Sequence, residues 1–297
     1  MFSGSMVAIV TPMTADGAVD WPAWDRLLDF HMREGSDGIV IAGTTGESPA
    51  LSAAEVEELT GRAVARCRDK VKVIVGAGFN ATDATVARTR VLSRLGVDAV
   101  MLVTPYYNRP PQEGLFRHFA AAADASAVPV ILYNVPGRTA VDLLPSTVAR
   151  LARHPRIVAI KEATASLSRA REIISACPPE FALLSGDDAT AVDLMCVGAR
   201  GVISVTANVA PRRMHEACKA ALSGDLDEAR AIDANLQALH KDLFVEANPI
   251  PVKWAVARMG IIGNAIRLPL VELATAHHEV VLRAMRAAGV TLEDQAA

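Results

Sequence analysis

Eight short apolar runs recur through the first three-quarters of the chain and constrain its fold more than any other feature. They are rich in β-branched residues and begin on average about 28 residues apart, the length of one strand–helix unit. Because the runs are nearly continuously apolar, both faces of each predicted strand should be buried, as in a parallel sheet. The runs are Val7–Val10, Gly38–Ala42, Val71–Val75, Ala99–Val103, Val130–Tyr133, Ile157–Ile160, Ala182–Leu184 and Gly201–Val205.

Amphipathic segments with helix-start signals separate these runs. For example, Ser52 and Glu55 form a capping-box pattern ahead of a segment that reaches about Arg68. Eight strand–helix repeats within about 225 residues predict an α/β fold, a closed (β/α)8 TIM barrel. The alternative is a doubly wound open sheet, which is disfavoured because no GxGxxG motif follows the first strand.

The pattern changes after residue 224, where the strand-like runs stop. Leu226–Phe244, Pro251–Met259 and Leu270–Ala288 are predicted to be helices. We therefore expect a barrel catalytic domain over residues 1–224 and a C-terminal helical domain over residues 225–297.

Composition excludes several classes of partner. The chain has 33 acidic and 30 basic residues, a net charge of −3, and only 4% aromatic residues. This argues against nucleic acid or an anionic membrane surface as a partner. No uncharged apolar stretch reaches the length of about 18 residues that a membrane span needs, and Met1–Thr11 lacks the basic start of a signal peptide. The four cysteines are widely separated, so we expect free thiols and a cytoplasmic protein.

In a TIM barrel the active site lies at the carboxyl ends of the strands. All three tyrosines of the chain fall at that rim: Tyr106 and Tyr107 follow the fourth predicted strand, and Tyr133 ends the fifth. Such a concentration indicates a functional role rather than a scattered structural one.

Lys161 directly follows the apolar run Ile157–Ile160, so its side chain should start inside the barrel mouth. Removal from water disfavours an ammonium group and can lower the pKa of a lysine toward about 7–8, which yields a nucleophilic amine. The alternative is a structural ion pair between Lys161 and Glu162 or Asp187. Position alone leaves both interpretations open.

None of the seven histidines follows a predicted strand, and Asp187–Asp188 is the only carboxylate pair at the rim. We therefore predict no metal site and no cofactor. The remaining rim set of lysine, tyrosine, threonine and arginine suits Schiff-base chemistry on a 2-oxo acid. The amine would form an imine, a phenol would move protons, and hydroxyls and a guanidinium would hold carboxylates.

Six segments at the rim and in the C-terminal region occur in one order that spans nearly the whole chain. They are Gly43–Ser48, Thr104–Asn108, Tyr133–Thr139, Ile160–Thr164, Ser185–Asp188 and Asn248–Lys253. In these segments the chain resembles the pyruvate-dependent class I aldolase family of N-acetylneuraminate lyase and dihydrodipicolinate synthase.

The resemblance implies a lyase that condenses pyruvate with L-aspartate 4-semialdehyde, on the route to diaminopimelate and lysine. Two alternatives stay open: a relative that cleaves or dehydrates a 2-oxo sugar acid, and a catalytically silent copy that only binds a 2-oxo acid. Arg138 argues against the first, because the sugar-acid lyases of the family lack an arginine in that loop. The complete rim set argues against the second.

The resemblance also implies catalytic roles. Lys161 would form the imine with pyruvate, and Tyr133 would relay protons to and from it. Thr44 would link Tyr133 to Tyr107, and Tyr107 would reach into the site of a neighbouring subunit. Family members are commonly homotetramers built as dimers of dimers, so we expect a homotetramer.

The substrate-binding residues implied by the resemblance lie on four different segments. Thr45 would hold the pyruvate carboxylate with its hydroxyl and backbone N–H. Gly186 and Ile203 would contribute backbone contacts. Arg138 would bind the carboxylate of aspartate 4-semialdehyde at the site entrance.

Lysine-inhibited family members bind lysine at a subunit interface. The matching positions that this chain retains are Ser48, Asn80 and Tyr106. Inhibited bacterial members carry histidines at the positions of Ala53 and Val56 and a glutamate at the position of Ala84. Because those polar groups are missing here, we predict weak or absent inhibition by lysine. Half-inhibition of the purified enzyme by sub-millimolar lysine would contradict this prediction.

Overall fold

The protein is described by a computed structural model that covers residues 2–292. Eight parallel strands pair in chain order and close into a barrel, with the last strand beside the first. The predicted (β/α)8 barrel with C-terminal helices is thereby confirmed. The strands are β1 Gly4–Ala8, β2 Gly38–Ile41, β3 Lys72–Gly76, β4 Ala99–Val103, β5 Val130–Asn134, β6 Ile157–Glu162, β7 Ala182–Ser185 and β8 Gly201–Ser204.

Helices surround this barrel, and the capping box predicted for one of them is present. The Ser52 hydroxyl accepts the Glu55 N–H at 3.2 Å, and the Glu55 carboxylate accepts the Ser52 N–H at 2.8 Å. The helices are α1 Trp21–Arg33, α2 Ala53–Cys67, α3 Thr82–Leu92, α4 Gln112–Asp124, α5 Pro136–Thr139, α6 Pro145–Leu151, α7 Leu167–Ala176, α8 Ala191–Cys196, α9 Pro211–Ser223, α10 Leu226–Ala234, α11 Gln237–Asp242, α12 Ile250–Arg258 and α13 His278–Ala287. None of the helices within residues 2–292 is long and apolar enough to cross a lipid bilayer.

The alternation of side chains along each strand divides the apolar residues into two layers. Val40 and Ile131 belong to the cluster that fills the barrel interior. Ile39 and Ile41 point outward and belong to a larger cluster that includes Leu59 of α2. Both faces of the strands are buried, which explains the continuous apolar runs in the sequence.

The first strand begins earlier than its apolar run suggests. The prediction was Val7–Val10, whereas β1 spans Gly4–Ala8. Gly4 pairs with Gly201 of β8. The two backbones approach so closely that a Cβ on Gly201 would lie 2.1 Å from the Gly4 carbonyl oxygen. Strand closure therefore favours glycine at both positions. Gly4, Ser5 and Met6 are not β-branched, so the predicted run does not reach the start of β1.

The C-terminal helices are shorter than predicted. The segment Leu226–Phe244 forms two helices, α10 and α11, and within Leu270–Ala288 only α13 is a regular α-helix. In the part of this segment before α13, Val271 is exposed whereas Leu273 is buried in the core.

The C-terminal helices share a hydrophobic core with the barrel. Trp254 of α12 and Val281 of α13 belong to the same cluster as the outward-facing strand residues. The division into domains 1–224 and 225–297 stays a proposal, placed where α9 ends and Gly224 takes a left-handed conformation, with φ of 88°.

A buried ion pair joins α12 to the loop after β2. The ammonium of Lys253 donates to the Glu47 carboxylate, and each side chain is only 1% exposed. The backbone N–H of Arg267 donates to the other Glu47 oxygen at 3.1 Å. Burial lowers the pKa of Lys253, and the Glu47 carboxylate opposes that shift. Each charge therefore depends on its partner to remain in the core.

Removing one member of this pair should be more harmful than removing both. We expect Lys253→Met to reduce the free energy of unfolding by about 3–5 kcal/mol, because it leaves the Glu47 charge buried alone. Adding Glu47→Gln to the same chain should restore much of that loss. Urea unfolding followed by circular dichroism measures both values. Arg117→Met, in the exposed pair of Arg117 with Glu113, is the matched control and should change stability by less than about 1 kcal/mol.

If the losses from Lys253→Met and Glu47→Gln simply add in the double variant, the two charges are not coupled in the way described.

Candidate active site

The register of β5 and β6 brings Lys161 and Tyr133 together. The two residues are paired neighbours in the sheet, and Tyr133 belongs to the apolar cluster inside the barrel. The Nζ atom of Lys161 lies 4.4 Å from the centroid of the Tyr133 ring. Pairing extends through Glu162, so Lys161 lies within the strand rather than after it. The strand therefore holds the amine rigidly at the barrel mouth.

The amine of Lys161 is removed from water. The residue is 5% exposed, and burial lowers the pKa of Lys161 from its usual 10.5 to about 8. The Asp188 carboxylate opposes this shift and the Arg138 guanidinium adds to it. At pH 7 about a tenth of the molecules therefore carry Lys161 as a neutral, nucleophilic amine.

Glu162 faces away from Lys161, so the structural ion pair considered from the sequence does not form. Its carboxylate accepts from the Asn134 amide at 3.1 Å and from the Thr164 N–H at 3.0 Å, and it lies 3.4 Å from the Arg169 guanidinium. The reason is the strand itself, because consecutive side chains point to opposite faces. The other candidate partner, Asp187, instead accepts from the Thr190 hydroxyl and N–H.

Tyr133 is suited to hold and move a proton beside the amine. Burial raises the pKa of the Tyr133 phenol, while Arg138 and the Thr44 side chain oppose that shift. The phenol therefore keeps its proton at neutral pH and can donate it to an oxygen that develops negative charge next to Lys161.

Gly186, at the end of β7, leaves room for the lysine stem. A Cβ at this position would lie 3.1 Å from both Cγ and Cε of Lys161 and 2.7 Å from the Cβ of Ala163. Any larger residue would push the stem from its place. The structure thus brings Gly186 into contact with the predicted nucleophile.

A cavity of about 240 Å³ opens beside Tyr133. Thr44 and Arg138 also line it, together with apolar side chains such as Met101 and Val103. Arg138 lies on the short helix α5 and is exposed, so its guanidinium stands at the entrance rather than at the base. The cavity therefore combines a cationic entrance with a lining that is otherwise mostly apolar.

Thr45 lies next to this cavity and is held by a residue that the sequence analysis did not single out. Its hydroxyl accepts a hydrogen bond from the Asn248 side-chain amide at 3.0 Å. The backbone carbonyl of Asn248 accepts from Arg138 Nη2 at 3.4 Å. One C-terminal residue thus contacts two predicted substrate-binding residues. The only sequence signal was that Asn248 begins one of the six ordered segments.

Two predicted site residues stand apart from this group. Tyr107 is 88% exposed and does not line the cavity of its own chain. It adopts a left-handed backbone conformation, with φ of 75°. Ile203 of β8 is buried in the barrel interior. The roles implied for both residues stay predictions.

Comparison with known proteins gives a consistent result along the chain. The model of the Dihydrodipicolinate synthetase family matches residues 1–288. A 4-hydroxy-tetrahydrodipicolinate synthase from Nitrosomonas eutropha is 54% identical over 292 residues, which cover 98% of this chain and all of that protein. The 4-hydroxy-tetrahydrodipicolinate synthase from Stutzerimonas stutzeri is 53% identical over 290 residues, which cover 98% of this chain and 99% of that protein.

The chain belongs to the dihydrodipicolinate synthetase family.

Solved structures agree with this family assignment. The chloride-inhibited dihydrodipicolinate synthase from Acinetobacter baumannii, complexed with pyruvate, superposes with a TM-score of 0.96 at 46% identity. The match covers 98% of this chain and all of that structure. The dihydrodipicolinate synthase from Aquifex aeolicus gives a TM-score of 0.96 at 41% identity, over 99% of this chain and 100% of that one.

Asp188 is a second residue of this family member whose part the sequence analysis did not recognise. One carboxylate oxygen accepts the N–H groups of Val205 at 2.9 Å and Thr206 at 3.0 Å. It thereby caps the short turn after β8 and lies near enough to Lys161 to raise its pKa.

Within residues 2–292 no three histidine, cysteine, aspartate or glutamate side chains are grouped to hold a metal ion.

Backbone strain in this family member is concentrated at the same rim. Outside glycine, positive φ occurs within residues 2–292 at seven positions, and six of them follow strand ends on the active-site side. These six are Ala42, Glu47, Tyr107, Arg109, Ala140 and Ala165. Strain of this kind costs on the order of 1–3 kcal/mol per residue and is characteristic of functional sites.

A larger cleft of 870 Å³ lies elsewhere, between α1, α9 and the segment after α13.

The lowered pKa predicts how the reactivity of this family member depends on pH. With the neutral Lys161 amine as the predicted nucleophile, we expect trapping of pyruvate on Lys161 by borohydride to accelerate as pH rises and to level off above about pH 8. At pH 7 the rate should be about tenfold below the plateau. Mass spectrometry of the reduced adduct measures the rate.

Lys161→Met is the control for this experiment and should give no adduct. A rate that keeps rising beyond pH 10 would show that the amine titrates like an ordinary exposed lysine.

Proposed function

We propose that the protein is a 4-hydroxy-tetrahydrodipicolinate synthase, a lyase that condenses pyruvate with L-aspartate 4-semialdehyde. The observation that carries this proposal is the buried Lys161 amine, with its pKa lowered to about 8, against the ring of Tyr133 at the barrel mouth. The names of relatives that match this chain nearly end to end support it. The pyruvate complex of a structural relative supports pyruvate as the first substrate.

The first half-reaction follows from this pair of groups. The neutral amine of Lys161 attacks C2 of pyruvate. The carbonyl oxygen takes one proton from the attacking amine and one from the Tyr133 phenol and leaves as water, which yields a protonated imine. The imine withdraws electrons, so C3 loses a proton to the Tyr133 phenolate and an enamine forms. Burial favours this sequence, because it raises the fraction of the amine that is neutral and keeps the phenol protonated before pyruvate binds.

In the second half-reaction the enamine carbon attacks the aldehyde carbon of the semialdehyde. The aldehyde oxygen takes the proton of the Tyr133 phenol and becomes the 4-hydroxyl group, and C2 is again a protonated imine. The amino group of the bound semialdehyde then attacks C2 and closes the ring. It passes one proton to the lysine nitrogen, which leaves as the neutral Lys161 amine, and returns its other proton to the Tyr133 phenolate. The product is 4-hydroxy-2,3,4,5-tetrahydrodipicolinate, and the enzyme regains its free lysine.

Binding residues are assigned by the charges that the substrates carry. Thr45 would hold the pyruvate carboxylate, with backbone contacts from Gly186 and Ile203. Arg138 would bind the carboxylate of the semialdehyde, because its exposed guanidinium stands at the cavity entrance. Thr44 lines the same cavity as Tyr133 and would pass protons between Tyr133 and Tyr107.

Tyr107 would complete the site of a neighbouring subunit, so we propose a homotetramer built as a dimer of dimers. Its 88% exposure leaves the side chain accessible to a neighbouring subunit, which supports this proposal. Sedimentation analysis measures the oligomeric state.

We place the reaction in the cytoplasm, a choice supported by four free cysteines, two of them buried.

A coupled assay that supplies pyruvate and L-aspartate 4-semialdehyde tests the proposed function. Substitution of Arg138 tests how the semialdehyde is bound. We expect Arg138→Ala to lower kcat/KM for the semialdehyde by roughly 30-fold or more, the effect of losing a charge pair worth about 2–5 kcal/mol. Half-saturation of borohydride trapping by pyruvate should change little. Arg138→Lys should recover only part of the loss, because a lysine lacks the planar fork that binds a carboxylate at two points.

Equal losses for both substrates would contradict the role given to Arg138. Turnover of a 2-oxo sugar acid in place of the semialdehyde would instead assign the protein to the lyase or dehydratase branch. Normal trapping without turnover of any aldehyde would identify a silent binding protein.

A further inference from the structure

Asn248 lies where the C-terminal helices meet the active site. It lies two residues before α12 and is 6% exposed. Its side chain contacts the loop after β2, and its backbone contacts the helix α5 that follows β5. Within residues 2–292, Asn248 is the only C-terminal residue that is hydrogen-bonded to both Thr45 and Arg138.

The direction of the hydrogen bond to Thr45 has a chemical consequence. The Asn248 amide N–H donates to Thr45 Oγ1 at 3.0 Å, so it occupies a lone pair of the hydroxyl oxygen. A hydroxyl has a single proton, and that proton is then free to point elsewhere. An N–H donor behind the oxygen therefore makes the hydroxyl a donor toward the site, which is the role needed to bind a carboxylate.

The contact with Arg138 is of a different kind. It is made by the backbone carbonyl of Asn248, at 3.4 Å from Nη2. Replacing the side chain therefore removes the contact with Thr45 and leaves the contact with Arg138 in place. The two substrate subsites can be separated by one substitution.

We propose that Asn248 is a positioning residue, which orients the Thr45 hydroxyl so that it donates a hydrogen bond to the carboxylate of pyruvate. The inference rests on the proposed function, because it takes pyruvate as the molecule bound beside Thr45. Asn248 acts through Thr45 and does not take part in bond making at Lys161.

The test uses borohydride trapping of pyruvate on Lys161 in the full-length protein. Asn248→Ala should raise the half-saturating pyruvate concentration about 5–10-fold, since the Thr45 proton loses its preferred direction. Asn248→Asp keeps the size of the side chain but offers only acceptors, so the Thr45 hydroxyl would donate to the introduced carboxylate instead of to pyruvate. The rise in the half-saturating pyruvate concentration should therefore be larger than in the alanine variant. KM for the semialdehyde should stay within about twofold in the alanine variant.

A double-mutant cycle with Thr45→Val distinguishes positioning from a structural role. If Asn248 acts through the hydroxyl, Asn248→Ala should add no further loss of pyruvate affinity once Thr45→Val is present. Additive losses would overturn the proposal, and so would a larger effect of alanine than of aspartate. If the alanine variant does not fold, the near-isosteric aspartate variant still decides the matter.

The outcome also separates this inference from the proposed function. A natural chain that gives no adduct with pyruvate refutes the proposed function itself. A natural chain that is trapped normally, with an Asn248→Ala variant that has the same half-saturation, refutes only the role of Asn248.

Discussion

The removal of one lysine amine from water is the constraint on which the rest of the site depends. The change in the pKa of Lys161 from 10.5 to about 8 corresponds to roughly 3 kcal/mol by which folding is disfavoured at pH 7. That cost is fully present below about pH 8 and declines as pH rises toward 10.5, where the unfolded chain also loses its proton. A barrel with a large core can tolerate such a cost, and in return it holds a reactive amine in a fixed position beside a phenol.

Secondary structure positions most of the groups that use this amine. Paired positions on β5 and β6 place Tyr133 beside Lys161, and the missing side chain of Gly186 leaves space for the lysine stem. Asp188 limits the lowering of the pKa of Lys161 while it caps the turn after β8. The strained loops lie at the same rim, where rigid strands on one side hold conformations that would be unfavourable in a free loop.

The C-terminal helices belong to the active site as much as to the scaffold. Lys253 on α12 neutralises Glu47 two residues after Thr45, and Asn248, two residues before that helix, contacts Thr45 itself. The charged pair joins the helix to the loop, and in our proposal the amide sets the direction of the Thr45 hydroxyl. A change in the packing of these helices would therefore reach substrate binding without touching Lys161.

The barrel, the rim and the position of Lys161 at its mouth were determined by the sequence alone, because strand burial and the spacing of strand–helix units are local properties of the chain. The start of β1 was misjudged, since closure against β8 depends on Gly4 and Gly201, which lie far apart along the chain. The roles of Asn248, Lys253 and Asp188 were decided only by tertiary structure. Each acts through a partner on another segment, and a linear pattern carries no information about which distant groups share a hydrogen bond or a buried charge.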